Sequence, residues 1–276
     1  MRCAVLGSPI RHSLSPAMHR SAYAHLGLDW TYEAVELVPD TLGPFVAGLD
    51  ATWRGLSMTM PLKRTVVPLL DILDPWSRAS GVVNTLVLDD GRRLGFNTDV
   101  PGAVAAITER VPDPVRTAVV LGGGATATSV LLALGELGCT EARVLVRDPA
   151  RAEETVATVS AYAGAPRVSV GLLQEATDLQ ADLVVSTVPA AAQTPSLVRA
   201  CAAAGAVFEV VYDPWPTPLL AAALDSGRPS VDGLDLLGHQ AVLQVELMTG
   251  LPVPVDLLRS AARAELARRK GGAAGS

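Results

Sequence analysis

In "WRGLSMTMPLK" (53–63) an apolar run ends at Thr59 and is followed by Pro61 and Lys63. A second run, "LGFNTDVPG" (94–102), carries Asn97, Thr98 and Asp99, and "GVVNTL" (81–86) places Asn84 where a strand begins. A lone lysine after a proline is ordinarily surface decoration. Strand ends carrying Lys, Asn and Asp together point instead to a polar cleft. An amine and a carboxylate there can give and take a proton at a carbonyl: the ammonium supplies it, and the carboxylate orients the ammonium and balances its charge. "PIRHSLSPAMH" (9–19) adds Ser13 and Ser15 just after an apolar segment. Two hydroxyls so close serve either turn chemistry or a polar guest, since each can donate and accept.

A different chemistry is written into "TAVVLGGGATATSVLLALGELG" (117–138), a buried strand, a glycine turn and a helix. Gly122-Gly123-Gly124-Ala125-Thr126-Ala127 fits the G-x-G-x-x-A form of a dinucleotide fingerprint. That form needs a tight turn, a bare backbone and a helix N-terminus facing a pyrophosphate. The strand after it ends in "VLVRDPAR", where Arg147 and Arg151 are one helical turn apart and spaced to grip a 2′-phosphate. Asp148 between them opposes this, because a carboxylate suits free ribose hydroxyls. Two cations against one anion favour NADP(H), with NAD(H) left open by Asp148. The serine of "STVP" (186–189) reads as a cofactor-facing strand end beside Thr187, not as a nucleophile, for no G-x-S-x-G elbow accompanies it.

These residues need elements to hold them. Apolar β-branched runs alternate with Ala/Leu-rich helical patterns, which predicts an α/β protein with a largely parallel sheet. Strands are expected at Cys3–Leu6, Thr31–Glu36, Gly55–Thr59, Val82–Leu88 and Arg92–Phe96, the last two around an Asp89-Asp90-Gly91 hairpin. Helices are expected at Pro16–His25, Thr41–Ala51 and Thr65–Leu70. From Thr117 a second series adds strands at Arg143–Arg147, Arg167–Val170, Asp182–Thr187, Ala206–Tyr212 and Ser230–Val231. Helices at Leu234–Met248 and Val255–Arg269 follow, and the tail "GGAAGS" reads as frayed. Gly and Pro interrupt the pattern near Asp99–Gly102 and Gly233–Gly238. Two domains follow: a substrate-binding domain of 1–100 plus 238–276, and a Rossmann-like dinucleotide domain of 101–237.

Composition narrows the partners. Of the 276 residues, 49% are hydrophobic and 18% charged, which suits a sizeable core and not disorder. A net charge of −6 argues against nucleic acid or an anionic membrane, so an anionic ligand must be met by local cations or helix ends. No apolar stretch is long enough to span a membrane. Three scattered cysteines without a CxxC imply neither disulfide framework nor zinc site, and suggest a reducing cytoplasm. Four scattered histidines complete no metal site. His12 reads as a loop residue, His19 as half-buried on a helix, His25 as surface, and His239 as able to line the cleft.

The segments "GSPIRHSLSPAMH", "MTMPLK", "GVVNT", "FNTD", "LGGGATAT", "STVP", "YDPWPTPL" and "GLDLLGHQ", in that order, resemble shikimate dehydrogenase over essentially the whole chain. The resemblance implies NADPH-dependent, reversible reduction of 3-dehydroshikimate to shikimate in aromatic amino-acid biosynthesis, by a monomer or homodimer. It implies that Ser13 and Ser15 bind the carboxylate, that Thr59, Asn84, Asp99 and Gln240 bind ring hydroxyls, and that Tyr212 lies near the carboxylate. Lys63 and Asp99 would form the catalytic pair. Gly122, Gly123, Gly124, Ala125, Thr126, Arg147, Arg151 and Thr187 would hold the cofactor, with Gly233 close to the nicotinamide and Trp215 left as packing. The sequence departs from the family at Arg20, at Ser57-Met58 and at Val146, the last weakening the case for NADP over NAD. Alternatives are an NAD-preferring quinate/shikimate dehydrogenase, an aminoshikimate-type reductase, and a non-catalytic nucleotide sensor. The sensor would have no need of both Lys63 and Asp99.

Overall fold

Runs of Val, Leu and Ala that can be buried on both faces pair as parallel strands with helices for crossovers. The computed structural model describes residues 1–273 and contains two sheets of six strands, both with parallel pairs. The expected frayed tail runs into residues 274–276, which lie outside the described residues. The chain splits into two compact units: Met1–Thr98 with the chain from Leu237 onward, and Asp99–Leu236.

The first unit contains β1 (Arg2–Gly7), α1 (Ser15–His25), β2 (Thr31–Glu36), α2 (Pro39–Ala47), β3 (Trp53–Met58) and α3 (Leu62–Thr65). Next come β4 (Ile72–Leu73), α4 (Pro75–Ser80), β5 (Thr85–Asp89) and β6 (Arg92–Phe96). The strand order is β2-β1-β3-β5-β6-β4. β1 runs parallel to β2 and β3, whereas β5 is antiparallel to both β3 and β6. This sheet is therefore mixed, where the sequence pattern suggested a largely parallel one. The β5–β6 hairpin turns at Asp90 and Gly91, with φ of 48° and 74°, the left-handed pair that matches strand twist in a two-residue turn. Ala4, Leu6, Leu56, Met58 and Leu86 of the sheet pack with Leu42, Val46 and Leu62 of the helices. Each such fully buried leucine contributes about 2 kcal/mol.

The second unit contains α5 (Asp99–Arg110), β7 (Thr117–Leu121), α6 (Ala125–Glu136), β8 (Glu141–Val146), α7 (Glu153–Ser160) and β9 (Arg167–Leu172). It continues with β10 (Leu183–Ser186), α8 (Pro195–Ala200), β11 (Ala206–Glu209), α9 (Pro218–Asp225) and β12 (Ser230–Val231). α10 (Gly233–Thr249) starts in this unit, and its later turns, with α11 (Val255–Ala273), belong to the first. Every strand pair here is parallel, in the order β9-β8-β7-β10-β11-β12. That is the doubly wound order, in which the direction of winding reverses between β7 and β10 and ligands bind beyond the carboxyl ends of the strands.

Some elements differ from expectation for local reasons. β5 begins at Thr85 and not Val82, since Val83 N donates to Lys63 O (2.8 Å) before pairing starts. The helix expected at Thr65–Leu70 is divided into α3 and a 3-10 turn, Val67–Leu69. Pro68 has no N–H with which to continue it. β11 stops at Glu209, three residues short of Tyr212. The apparent interruptions at Asp99–Gly102 and Gly233–Gly238 are the opening turns of α5 and α10. Pro101 is tolerated because first-turn N–H groups have no intrahelical partner.

Candidate active-site residues in the two units

Strand register gathers the first unit's polar residues at one edge of its sheet. Leu6 pairs with Met58, and Ser57 with Thr85, which in turn pairs with Phe96. The carboxyl ends of β1, β3 and β6 and the start of β5 therefore coincide. Thr59 N donates to Leu6 O (2.9 Å), and Ser8 N to Met60 O (3.0 Å), tying the loops after β1 and β3 together. Lys63 is the second residue of α3, and its carbonyl holds Val83, next to Asn84. The Asn84 amide donates to Thr98 Oγ1 (2.8 Å) and Gln240 Oε1 (3.3 Å) and accepts from Thr98 N (2.9 Å). Asn84 and Gln240, 156 residues apart in sequence, thus meet. Ser15 opens α1, and its N–H donates to Ser13 Oγ at 3.3 Å.

Behind this edge lies a buried network that the sequence did not foreshadow. Gln244 Oε1 accepts from His19 Nε2 (3.2 Å) and Ser57 Oγ (2.9 Å), while its amide donates to Thr85 Oγ1 (2.9 Å) and Asn84 O (3.2 Å). All four bonding positions of Gln244 are used, so Asn84 is held through its backbone as well as its side chain. His19 is fully buried, not half-buried as expected, and stacks on Tyr32 with centroids 4.0 Å apart. Burial pulls its pKa down to about 4, so the ring is neutral. Tyr32 OH donates to Ser57 Oγ (2.6 Å), which accounts for serine at that departure from the family. Arg20, another departure, donates to Tyr32 O at 2.8 Å and pins β2.

In the second unit, parallel register places Leu121, Ser186 and Glu209 side by side. Gly122, Thr187 and the segment leading to Tyr212 therefore leave the sheet at one edge, with Arg147 following β8 there. Gly122 has φ +105°, and a Cβ on it would lie 2.3 Å from Thr187 Oγ1. Only glycine fits. Gly124 caps α6, and a Cβ there would meet nothing within 4 Å, so open space lies over the bare backbone that a pyrophosphate needs. Ala125 and Thr126 form the first turn of α6. Arg147 and Arg151 are exposed, the latter in the 3-10 turn Pro149–Ala152. Asp148 caps that turn by accepting from Ala150 N (3.1 Å). These residues fit a dinucleotide.

Asp99 is buried at the first turn of α5, where the helix dipole favours a carboxylate. Tyr212 is half-buried after β11. Gly233 packs against backbone, since a Cβ would lie 2.8 Å from Val210 O. Sequence reasoning missed Glu209. It is fully buried and accepts from Gln193 Nε2 (2.6 Å), Thr217 Oγ1 (2.8 Å) and Val211 N (2.9 Å), and burial pushes its pKa up. The only hint was an acid inside an otherwise apolar strand, "AVFEVV". His239 bonds to buried Arg259 (3.0 Å). Among the described residues no group of three or more His, Cys, Asp or Glu could hold a metal ion, and no helix is long and apolar enough to cross a membrane.

Comparison with known proteins bears on both units. Residues 5–86 match the model of the shikimate dehydrogenase substrate binding domain, and 233–263 that of the shikimate 5'-dehydrogenase C-terminal domain. The shikimate dehydrogenase (NADP(+)) of Moorella thermoacetica is 36% identical over 98% of this chain and 95% of its own. The crystal structure of Mycobacterium tuberculosis shikimate dehydrogenase is 35% identical, covering 95% of this chain and 98% of that one with a TM-score of 0.83. That of the Thermus thermophilus shikimate 5-dehydrogenase, in complex with NADP(H) and shikimate, is 33% identical over 96% of this chain and 99% of its own, with a TM-score of 0.80. With identity of this level sustained from end to end, the chain belongs to the shikimate dehydrogenase family.

Proposed function

We propose that this protein catalyses the reversible, NADPH-dependent reduction of 3-dehydroshikimate to shikimate, in chorismate and aromatic amino-acid biosynthesis. The observation that carries the reading is the end-to-end similarity to NADP(+)-dependent relatives in a chain whose Thr59, Lys63 and Asn84 gather at one edge of the first sheet, where Gln240 of α10 meets Asn84. Ser13 and Ser15 bind the ring carboxylate, with Tyr212 near it. Thr59, Asn84, Asp99 and Gln240 bind the hydroxyls. A ring hydroxyl would replace the 3.3 Å contact between Asn84 and Gln240, which is longer than the 2.8 Å bond from the Asn84 amide to Thr98.

Gly122, Gly123, Gly124, Ala125, Thr126, Thr187 and Gly233 hold the dinucleotide, and Arg147 and Arg151 grip its 2′-phosphate. When bound, that dinucleotide supplies the hydride to the ring ketone. Lys63 gives its proton to the carbonyl oxygen as negative charge develops there, and Asp99 orients the amine. General acid help of this kind is worth about 10² to 10⁴ in rate. The enzyme works in the cytoplasm, as a monomer or homodimer.

The test is parallel initial rates of shikimate and quinate oxidation with NADP⁺ and with NAD⁺. Shikimate with NADP⁺ is expected to be fastest by about tenfold or more, and Lys63→Ala to lower its kcat by about 10² with little change in shikimate affinity. A quinate/NAD⁺ optimum overturns the assignment, and an unchanged kcat removes Lys63 from the chemistry.

A further inference from the structure

We propose that Arg269, near the end of α11, is the cation that supports the substrate carboxylate at Ser13 and Ser15; this rests on the function proposed above. A chain of net charge −6 does not attract a small carboxylate by its overall field, so its immediate surroundings, a helix end or a local positive charge, have to do so. Arg269 Nη2 donates to Ser13 O at 3.0 Å, a contact spanning 256 residues of sequence. Its Nε donates to Glu265 Oε1 at 2.8 Å, and Arg268 donates to both oxygens of the same carboxylate at 2.8 Å. The guanidinium of Arg268, with that of Arg269, holds the Glu265 pKa down to about 2, so this acid stays ionised at neutral pH. Two guanidiniums and one carboxylate leave one net positive charge against the backbone of Ser13.

The geometry also sets the Ser13 hydroxyl. Its residue is held at both backbone ends, N–H to Ile10 O (3.0 Å) and C=O by Arg269. Its Oγ accepts from Ser15 N, and a hydroxyl that accepts in this way still has its own proton to donate. Arg269 therefore acts on the guest twice, through the loop it fixes and through its charge. The second effect separates it from a plain helix-docking contact.

The experiment is steady-state kinetics of the full chain at saturating NADP⁺, with shikimate and with its uncharged carboxamide. Arg269→Gln, whose amide nitrogen reaches only as far as the guanidinium Nε, loses both the charge and the bond to Ser13 O; it is expected to raise KM for shikimate about tenfold with kcat within about twofold, and KM for the carboxamide by about threefold at most, the share that the loop contact contributes. Arg269→Lys keeps the charge and should stay within about threefold of wild type for both. Raising salt from about 0.05 to 0.5 M should raise the wild-type KM for shikimate and leave that of Arg269→Gln nearly flat. An unchanged shikimate KM in Arg269→Gln, or equal shifts for both ligands, overturns the proposal. A wild-type protein that oxidises no shikimate overturns the function and this inference together, an outcome distinct from an active enzyme indifferent to residue 269.

Discussion

Asp148 illustrates how one side chain can face two demands. Its carboxylate stands between two arginines spaced for a phosphate, yet its Oδ1 also caps the turn that carries Arg151. Charge and cap can be separated by substitution. Asp148→Asn keeps an acceptor oxygen and removes the charge, and should raise the ratio of kcat/KM for NADP⁺ over NAD⁺ about fivefold. That is the effect of the roughly 1 kcal/mol that two unit charges about 4 Å apart exchange in water. Asp148→Ala removes both and should gain less, because the turn bearing Arg151 loosens. Kinetics with the two coenzymes decide it: an unchanged ratio in Asp148→Asn means the carboxylate does not sense the phosphate. The arginines and the aspartate were all legible in the sequence; the cap was not, because Ala150 N is a backbone group whose need for a partner shows only once the turn is formed.

At the scale of elements, the connection from β11 to α9 is the least ordinary. The segment "YDPWPTPL" carries three prolines, and Thr217 caps α9 by accepting from Leu220 N at 3.3 Å. The Thr217 hydroxyl also donates to Glu209, which further receives the Gln193 amide and Val211 N–H. Gln193 in turn donates to Ser186 Oγ (3.1 Å), at the end of β10. One buried acid thus joins the ends of two adjacent strands to the start of a helix, with Tyr212 inside the loop so formed. Glu209→Gln turns an N–H group toward donors and should lower the unfolding free energy by about 2 kcal/mol, read from urea melts. A variant as stable as wild type would show that an amide satisfies the same partners. Strand and helix here follow from periodicity and from Pro218 at the first helical position, but the acid's purpose depends on three elements meeting.

Across the whole molecule, pH couples to the fold through His19. The unfolded chain takes up a proton near the ordinary histidine pKa of 6.5, and the folded chain only near 4, because burial opposes the charge. Between those values the unfolded state binds the extra proton, so stability falls as pH drops from about 6.5 to about 4, by about 3 kcal/mol at most. Below that window both states are protonated and this contribution is constant. Denaturant midpoints measured from pH 7 to 4 should show the fall in wild type and a flatter course in His19→Gln. Identical slopes would mean that the imidazole is charged in the folded state, or that other groups dominate.

The sequence by itself determined the strand–turn–helix around Gly122, the hairpin at Asp90-Gly91, the alternation that makes two α/β units, and the family. Each is written in neighbouring residues, where backbone sterics and burial periodicity act over a few positions. Tertiary structure alone decided that Asn84 meets Gln240, that Gln244 holds His19 and Ser57, that Glu209 joins three elements, and that Arg269 reaches Ser13. Those contacts span up to 256 residues, and a polar side chain in sequence carries no mark of the partner that chain reversal will bring to it.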